Sequence, residues 1–408
     1  MSINADKSRT LRILIFYQTI YPDYFGGIEL RNFELAKALA TRGHEVTLAG
    51  FSDTTIATPQ GVKRVLLGPR RDLYNSSGRR SLTHAIRLAR AAMRLDLAAY
   101  DVVETASMPF AHLFPLAVRC AGRAKPLLIT WYEYWGRYWL DYAGLAPGLV
   151  YFGAERILAR LGTIALVTSD LTFERLRSVR NGRRIERLDC GVDLDRVARS
   201  REVTSSTVVS LIYVGRLMDH KRLDLLLNSL AQMPEIPGKR TMLRILGDGP
   251  EREPLLRMSD ALGVKDRVSF VRRVETSEEV YAMLAASTLA VQPSAREGFG
   301  LFPLEALAAG LPVVYCDSPD SAVGELVRDR IEGIRVAAEA GALAKTLDAL
   351  LGDDNERARL GANARHRAAE FSWTRIAERF EQLCRSAIDG AIPSARRPPG
   401  ANHPARES

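Results

Sequence analysis

The chain has 408 residues, 47% of them hydrophobic and 26% charged, a balance that fits two or three folded domains and excludes a collagen-like or largely disordered protein. Its formal charge of +9 points to anionic lipid or a polyanionic substrate, whereas nucleic acid is set aside because no stacking aromatics interleave with the basic runs. The longest charge-free stretch, residues 280–295, contains Gln292 and Pro293 and falls short of the roughly 20 apolar residues of a spanning helix.

The opening MSINADKSRT lacks the apolar region of a secretory signal, so a cytoplasmic protein is expected. Residues 11–17, LRILIFY, suit a buried parallel strand and are followed by a loop ending in GG and a helical pattern closed by Gly43. Further strands are predicted at 45–50, 62–67, 101–104 and 127–130, with helical patterns between most of them. Strand, helix, strand in this rhythm implies a parallel sheet covered on both faces. Residues 194–207, LDRVARSREVTSST, lack a periodic apolar face and are read as a linker. The rhythm then restarts with strands at 208–214, 242–246, 268–271, 289–292 and 312–316. The expected architecture is α/β, with two Rossmann-like doubly wound domains facing across a cleft. The boundaries are 1–194, 195–372, a final helix over 373–390 and a Pro- and Arg-rich disordered tail over 391–408. The cysteines at 120, 190, 316 and 384 form no CxxC pair and read as reduced thiols.

Ligands of such sheets bind beyond the carboxyl ends of the strands, and three loops there carry chemistry. GGIE at 26–29 puts Gly26 and Gly27 at a helix start, where free N–H groups suit a phosphate; a plain tight turn is the other reading. It lacks the GxGxxG spacing of a dinucleotide site. VGRLMDHK at 214–221 sets Arg216 beyond a strand and Lys221 before a helix, where two cations oppose the macrodipole unless an anion is present. EGFGLFPLE at 297–305 follows a strand and opens a helix, so Glu297 lies in the loop and Glu305 one turn inside. Between them Gly298, Phe299, Gly300 and Leu301 offer backbone amides to an anion, while the two acids accept from hydroxyls. An anion between two hydroxyl-bearing rings describes a nucleotide sugar.

These loops resemble those of the retaining GT-B glycosyltransferases of family 4, the glycosyl transferases group 1, and the likeness runs over roughly residues 11–388. The resemblance implies that Glu297 contacts the transferred sugar and Glu305 the ribose hydroxyls. It assigns Arg216 and Lys221 to the donor pyrophosphate, brings Gly26 and Gly27 to the phosphate from the other domain, and folds the last helix back onto the first domain. It implies no cofactor and no metal, since cations and helix starts neutralise the phosphates. The partners it implies are a nucleotide-sugar donor and a saccharide or lipid-linked acceptor, in glycan, polysaccharide or glycolipid biosynthesis.

The acceptor side departs from the family. Many relatives carry a histidine near the end of the fourth strand, where this chain has Glu104, Thr105 and Ala106; others have a His-Glu pair where it reads Tyr132 and Glu133. Tyr132, Glu133 and His112 are the acceptor-side candidates, with a structural histidine as the alternative for His112. The aromatic run 131–142 is placed either against an acceptor sugar or in packing. DSPDSAVGE replaces the usual double-glycine segment before Glu325, and that acid receives no role. Two other functions stand beside transfer: a catalytically weak sugar-nucleotide binder, and a glycoside hydrolase using Glu297 and Glu305. Finally, RRSLTHAIRLARAAMRL at 79–95 aligns Leu82, Ile86, Ala89 and Met93 on one helical face with arginines around it. Such a helix either packs on a core with a solvated basic face or lies peripherally on an anionic membrane.

Overall fold

A computed structural model describes residues 9–24, 26–53, 59–70, 73, 81–200, 208–234, 240–274 and 276–391. Its first sheet has seven strands, β1 Arg12–Thr19, β2 Glu45–Phe51, β3 Val62–Leu66, β4 Val102–Ala106, β5 Leu127–Trp131, β6 Ile164–Val167 and β7 Ile185–Arg187. They run in the order β3-β2-β1-β4-β5-β6-β7 with every pairing parallel, Ile13 standing opposite Val102. The second sheet has β8 Val208–Val214, β9 Arg240–Leu246, β10 Val268–Val271, β11 Leu289–Gln292, β12 Val313–Cys316 and β13 Gly333–Val336. Its order is β10-β9-β8-β11-β12-β13, again all parallel. In each sheet the order reverses beside the first strand, between β1 and β4 and between β8 and β11, which is where a doubly wound sheet opens a crevice.

Helices clothe both faces: α1 Gly27–Thr41, α2 Leu82–Arg94, α3 Leu113–Ala121, α4 Tyr138–Ala143, α5 Leu145–Leu158 and α6 Asp170–Arg180 accompany the first sheet. α7 Leu194–Arg199, α8 Leu223–Gln232, α9 Arg252–Ala261, α10 Ser277–Ala285 and α11 Leu301–Ala309 follow. Alternation along β1 builds the layers, since successive side chains point to opposite faces. Ile13 and Ile15 enter one core with Leu35 and Leu39 of α1, while Leu14 and Phe16 enter another with Leu88 of α2 and Leu113 and Leu116 of α3.

The last described helix, Trp373–Ala391, returns to the first sheet and packs on α1. Ile376, Phe380, Leu383 and Cys384 complete the core beneath α1. Glu381 is largely buried at the seam, yet hydrogen bonds from Arg42, Arg385 and His44 outweigh the cost of burial and hold its carboxyl at about 2. The sequence pattern placed this helix but not its partner, because an amphipathic stripe says nothing about which apolar surface it meets.

Residues 194–199, expected to be linker, are the helix α7. Asp193 caps it by accepting from the Arg196 N–H at 2.9 Å, and Val197 anchors it in the second core. A six-residue helix with one buried apolar side chain has no periodicity to read. Residues 201–207 and the expected tail, beyond residue 391, lie outside the described residues, as does Arg80 of the basic run.

Truncating the fully buried Phe380 to alanine leaves a cavity under α1 and should lower unfolding stability by about 3–5 kcal/mol. The exposed neighbour Glu378, changed to alanine, should cost about 0.5 kcal/mol or less. Urea unfolding followed by tryptophan fluorescence compares the two.

Candidate active site

β8 ends in Gly215 and Arg216, and a 3₁₀ turn over Asp219–Lys221 leads to α8. The next strand in space, β11, ends in Gln292, and its loop carries Arg296 and Glu297 before α11 starts at Leu301. The two loops therefore emerge side by side at the switch point of the second sheet. Lys221 Nζ lies 2.7 Å from Glu297 Oε2, and Gln292 Nε2 donates to the same oxygen at 2.7 Å. His220 adjoins this cluster; burial, reinforced by the charges of Lys221, Arg296 and Arg216, pushes it down to about 3, so it stays neutral. Arg216, Lys221 and Arg296 thus gather at this end of the cleft.

α11 is preceded by Gly300, whose φ of +97° favours glycine and which provides no side-chain cap. The first amides of α11 are consequently left for a ligand. Glu305 lies one turn further, within electrostatic reach of Tyr281, and burial pushes its carboxyl up to about 8. No side chain or amide among the described residues bonds to it, so nothing offsets that burial. An acid in this state accepts well from paired hydroxyls once it ionises.

The loops of the first sheet close over this end. α1 starts at Gly27 behind Gly26, again without a side-chain cap, and a Cβ on Gly27 would stand 2.7 Å from Leu301 Cδ1. Gly298 presses on the segment after β5, where an added Cβ would fall 2.0 Å from the Tyr132 carbonyl and 2.6 Å from Glu133 Cγ. Only glycine allows so close an approach. The Tyr132 carbonyl is steadied from behind by the hydroxyls of Thr168 and Thr172, at 3.5 and 3.3 Å.

Glu133 is therefore a cleft residue. Burial raises its carboxyl pKa, Glu297 adding to the effect while Lys221 and Arg296 oppose it. Its Oε2 accepts from Trp135 Nε1 at 2.8 Å and stands 3.7 Å from Arg296 Nη2. His112 is placed differently. It is 0% exposed beneath β4, its Nε2 bonded to Thr105 Oγ1 at 2.8 Å and its ring edge-on to Phe16, the arrangement of a structural histidine. Glu104 likewise faces inward, accepting from Arg31 at 2.9 Å and Thr130 at 2.6 Å.

Two residues given no role in the sequence reading join the two halves. Arg296, 5% exposed, lies 4.1 Å from the ring centre of Tyr138 and reaches Asp320 at 3.2 Å; Asp320 in turn pairs with Arg175 of α6. Glu325 accepts the first amides of α6, Asp170 and Leu171, at 2.7 and 2.9 Å, and pairs with Arg187 at 3.0 Å. The only sequence signal for Arg296 was its place beside Glu297. Glu325 had none, since its partners are 138 or more positions away.

Two parallel-sheet units with a cationic cleft between their switch points constitute a GT-B fold. Sucrose-phosphate synthase of Thermosynechococcus elongatus superposes with a TM-score of 0.76 at 21% identity, over 93% of this chain and 100% of that one. HepE of Anabaena, solved with UDP and glucose, gives 0.69 at 20% over 92% and 100%. The profile of the Glycosyl transferases group 1 matches residues 198–367, and that of Glycosyltransferase Family 4 matches residues 25–196. The D-inositol 3-phosphate glycosyltransferase of Xylanimonas cellulosilytica is 31% identical over 390 residues, 86% of this chain and 89% of the relative. The chain belongs to glycosyltransferase family 4. The match to the enzyme of the same name from Salinispora tropica is 34% over 217 residues, and alignments with several such relatives span about half of their length.

The Glu305 carboxyl gives a pH-dependent test. Its folded pKa of about 8 lies above the roughly 4.3 of an unfolded glutamate, so its protonated form stabilises the fold and that contribution is lost as pH rises toward 8. Glu305→Gln should therefore raise Tm by roughly 3–6 °C at pH 8.5, with the gain shrinking toward zero at pH 5. A gain of the same size at both values would contradict the titration.

Proposed function

We propose that this protein is a retaining glycosyltransferase that moves a hexose-type sugar from a nucleoside diphosphate sugar to an acceptor hydroxyl. The observation that carries the reading is the convergence of three loops in one cleft, with Gly27 on Leu301 and Lys221 on Glu297. A structural relative solved with UDP and glucose, HepE, supports the donor class. Relatives named D-inositol 3-phosphate glycosyltransferase extend the acceptor candidates to a phosphorylated polyol, beside the saccharides and glycolipids of glycan biosynthesis.

In this reading the donor pyrophosphate lies between the amides of Gly298–Leu301 and the side chains of Arg216 and Lys221. Gly26 and Gly27 bring the start of α1 to the same phosphates. Glu305 accepts from the ribose hydroxyls, and Glu297 from the hydroxyls of the sugar. As the bond from the anomeric carbon to the phosphate oxygen breaks, negative charge grows on the β-phosphate, where preorganised cations and amides stabilise it. The acceptor oxygen attacks on the face the phosphate leaves, and its proton passes to the departing phosphate oxygen. Charge neutralisation thus falls to this chain's own groups, with no cofactor or metal assigned a step. Among the described residues no three His, Cys, Asp or Glu side chains gather as a metal site.

Arg216→Ala and Lys221→Ala should each lower kcat by about 10²- to 10³-fold while donor KM changes by roughly threefold or less. Glu305→Gln should show the opposite split, chiefly a higher donor KM. Steady-state kinetics with the nucleotide sugar that most raises the protein's Tm makes the comparison; equal, modest losses in both constants for Arg216→Ala would sink its assigned role.

A further inference from the structure

The two halves of the molecule treat their outer surfaces differently. Of the large hydrophobic side chains exposed among the described residues, one, Ile331, belongs to the second sheet's half, and most of the others sit on three helices of the first, α2, α3 and α5. The α2 stripe seen in the sequence points outward, with Leu82 at 72%, Ile86 at 42% and Met93 at 62% exposure, while His84, Leu88 and Ala92 face the core. On α3, Phe114 and Val118, one turn apart, are 62% and 55% exposed. On α5, Leu145 and Val150 are 71% and 70% exposed, with Leu149 and Ile157 beside them. α2 packs on α3 and on the 3₁₀ turn leading into it, and α5 packs on that same turn. The exposed side chains therefore belong to one group of touching helices.

The charge around this surface is mainly positive. α2 and α3 contain no acid, and the single acid of α5, Glu155, is buried, accepting the amides of Trp135 and Gly136 at 3.0 and 2.7 Å. Arg90, Arg94, Arg123 and Arg156 are exposed at the rim, against the flanking acids Asp96 and Asp141. None of the described helices is long and apolar enough to cross a membrane. An apolar face ringed by arginines, on helices too short and too polar at their edges to span, is the composition of a surface that lies in the headgroup layer. A second copy of this chain would bring the same arginines against this face, whereas an anionic surface complements them.

We propose that the outer face of α2, α3 and α5 docks on an anionic lipid bilayer. The face also has a route to the cleft. Tyr151 of α5 stacks on Trp139 at 4.9 Å, Trp139 on Trp135 at 4.5 Å, and Trp135 donates to Glu133. Taken with the transferase reading, on which this step rests, docking puts the aromatic side of the cleft beside the lipid surface and selects an amphiphilic acceptor whose hydroxyl lies at the headgroups.

The test is flotation of the full chain with vesicles of phosphatidylcholine alone or with about a third phosphatidylglycerol, at low and high salt. Binding is expected to the anionic vesicles, weakened by salt, and reduced about fivefold for each of Arg90→Ala and Arg94→Ala. The double variant Leu145→Ser, Val150→Ser should lose at least about tenfold in binding, with Tm and the UDP-induced rise in Tm unchanged. That last readout separates the two readings: a failed docking surface leaves the nucleotide response intact, and a failed transferase reading abolishes it with docking intact. No binding to anionic vesicles at low salt, equal binding by wild type and the serine variant, or a dimer in solution that the serine changes dissolve without any lipid binding would each overturn the proposal.

Discussion

Everything at the cleft depends on one backbone contact, that of Gly298 with the carbonyl of Tyr132. A methyl group at residue 298 would sit 2.0 Å from that oxygen, so the loop from the second sheet can reach the first only because it carries no side chain there. From this contact Glu133 is brought into the field of Lys221 and Glu297, Arg296 onto Tyr138, and the start of α11 against Gly27.

The buried charges of the molecule fall into two kinds. Some are matched: Arg31 and Glu104 meet at 2.9 Å with both side chains 1% exposed, and Glu155 spends its carboxylate on two amides although burial holds it at about 7. Removing one member of a matched buried pair costs more than the pair contributes, because the survivor keeps its desolvation penalty. Others remain unmatched, above all Glu305. A group kept in that state destabilises the empty protein and is the kind of site where a ligand supplies what the fold withholds.

Much of this was legible in the chain. Buried parallel strands announce themselves as short runs of Val, Ile and Leu, so β1, β2, β8 and β11 were predicted within a residue or two, as was the start of α11 at Leu301. The strands β6, β7 and β13 were missed, being three or four residues long and lacking clear turn signals. The cationic loop and the two acids of EGFGLFPLE stood out because such residues rarely follow buried strands without a ligand. Arg296 and Glu325 stayed silent, since their meaning lies in partners from the other half of the chain. The stripe on α2 was visible, but a stripe of Leu, Ile and Met looks the same whether it faces core or solvent.

Local pattern thus determined the elements and their parallel rhythm and singled out Arg216, Lys221, Glu297 and Glu305, because strand and helix periodicity and the electrostatics of a helix start act over a few residues. The tertiary structure decided which loops meet, which acids are paired and which are left unmatched, that His112 is enclosed, and that the apolar face of α2 looks outward. These depend on contacts between elements separated along the chain, as Arg31 is from Glu104 and Gly27 from Leu301, whose free energies appear only once each sheet has assembled and the two have closed on each other.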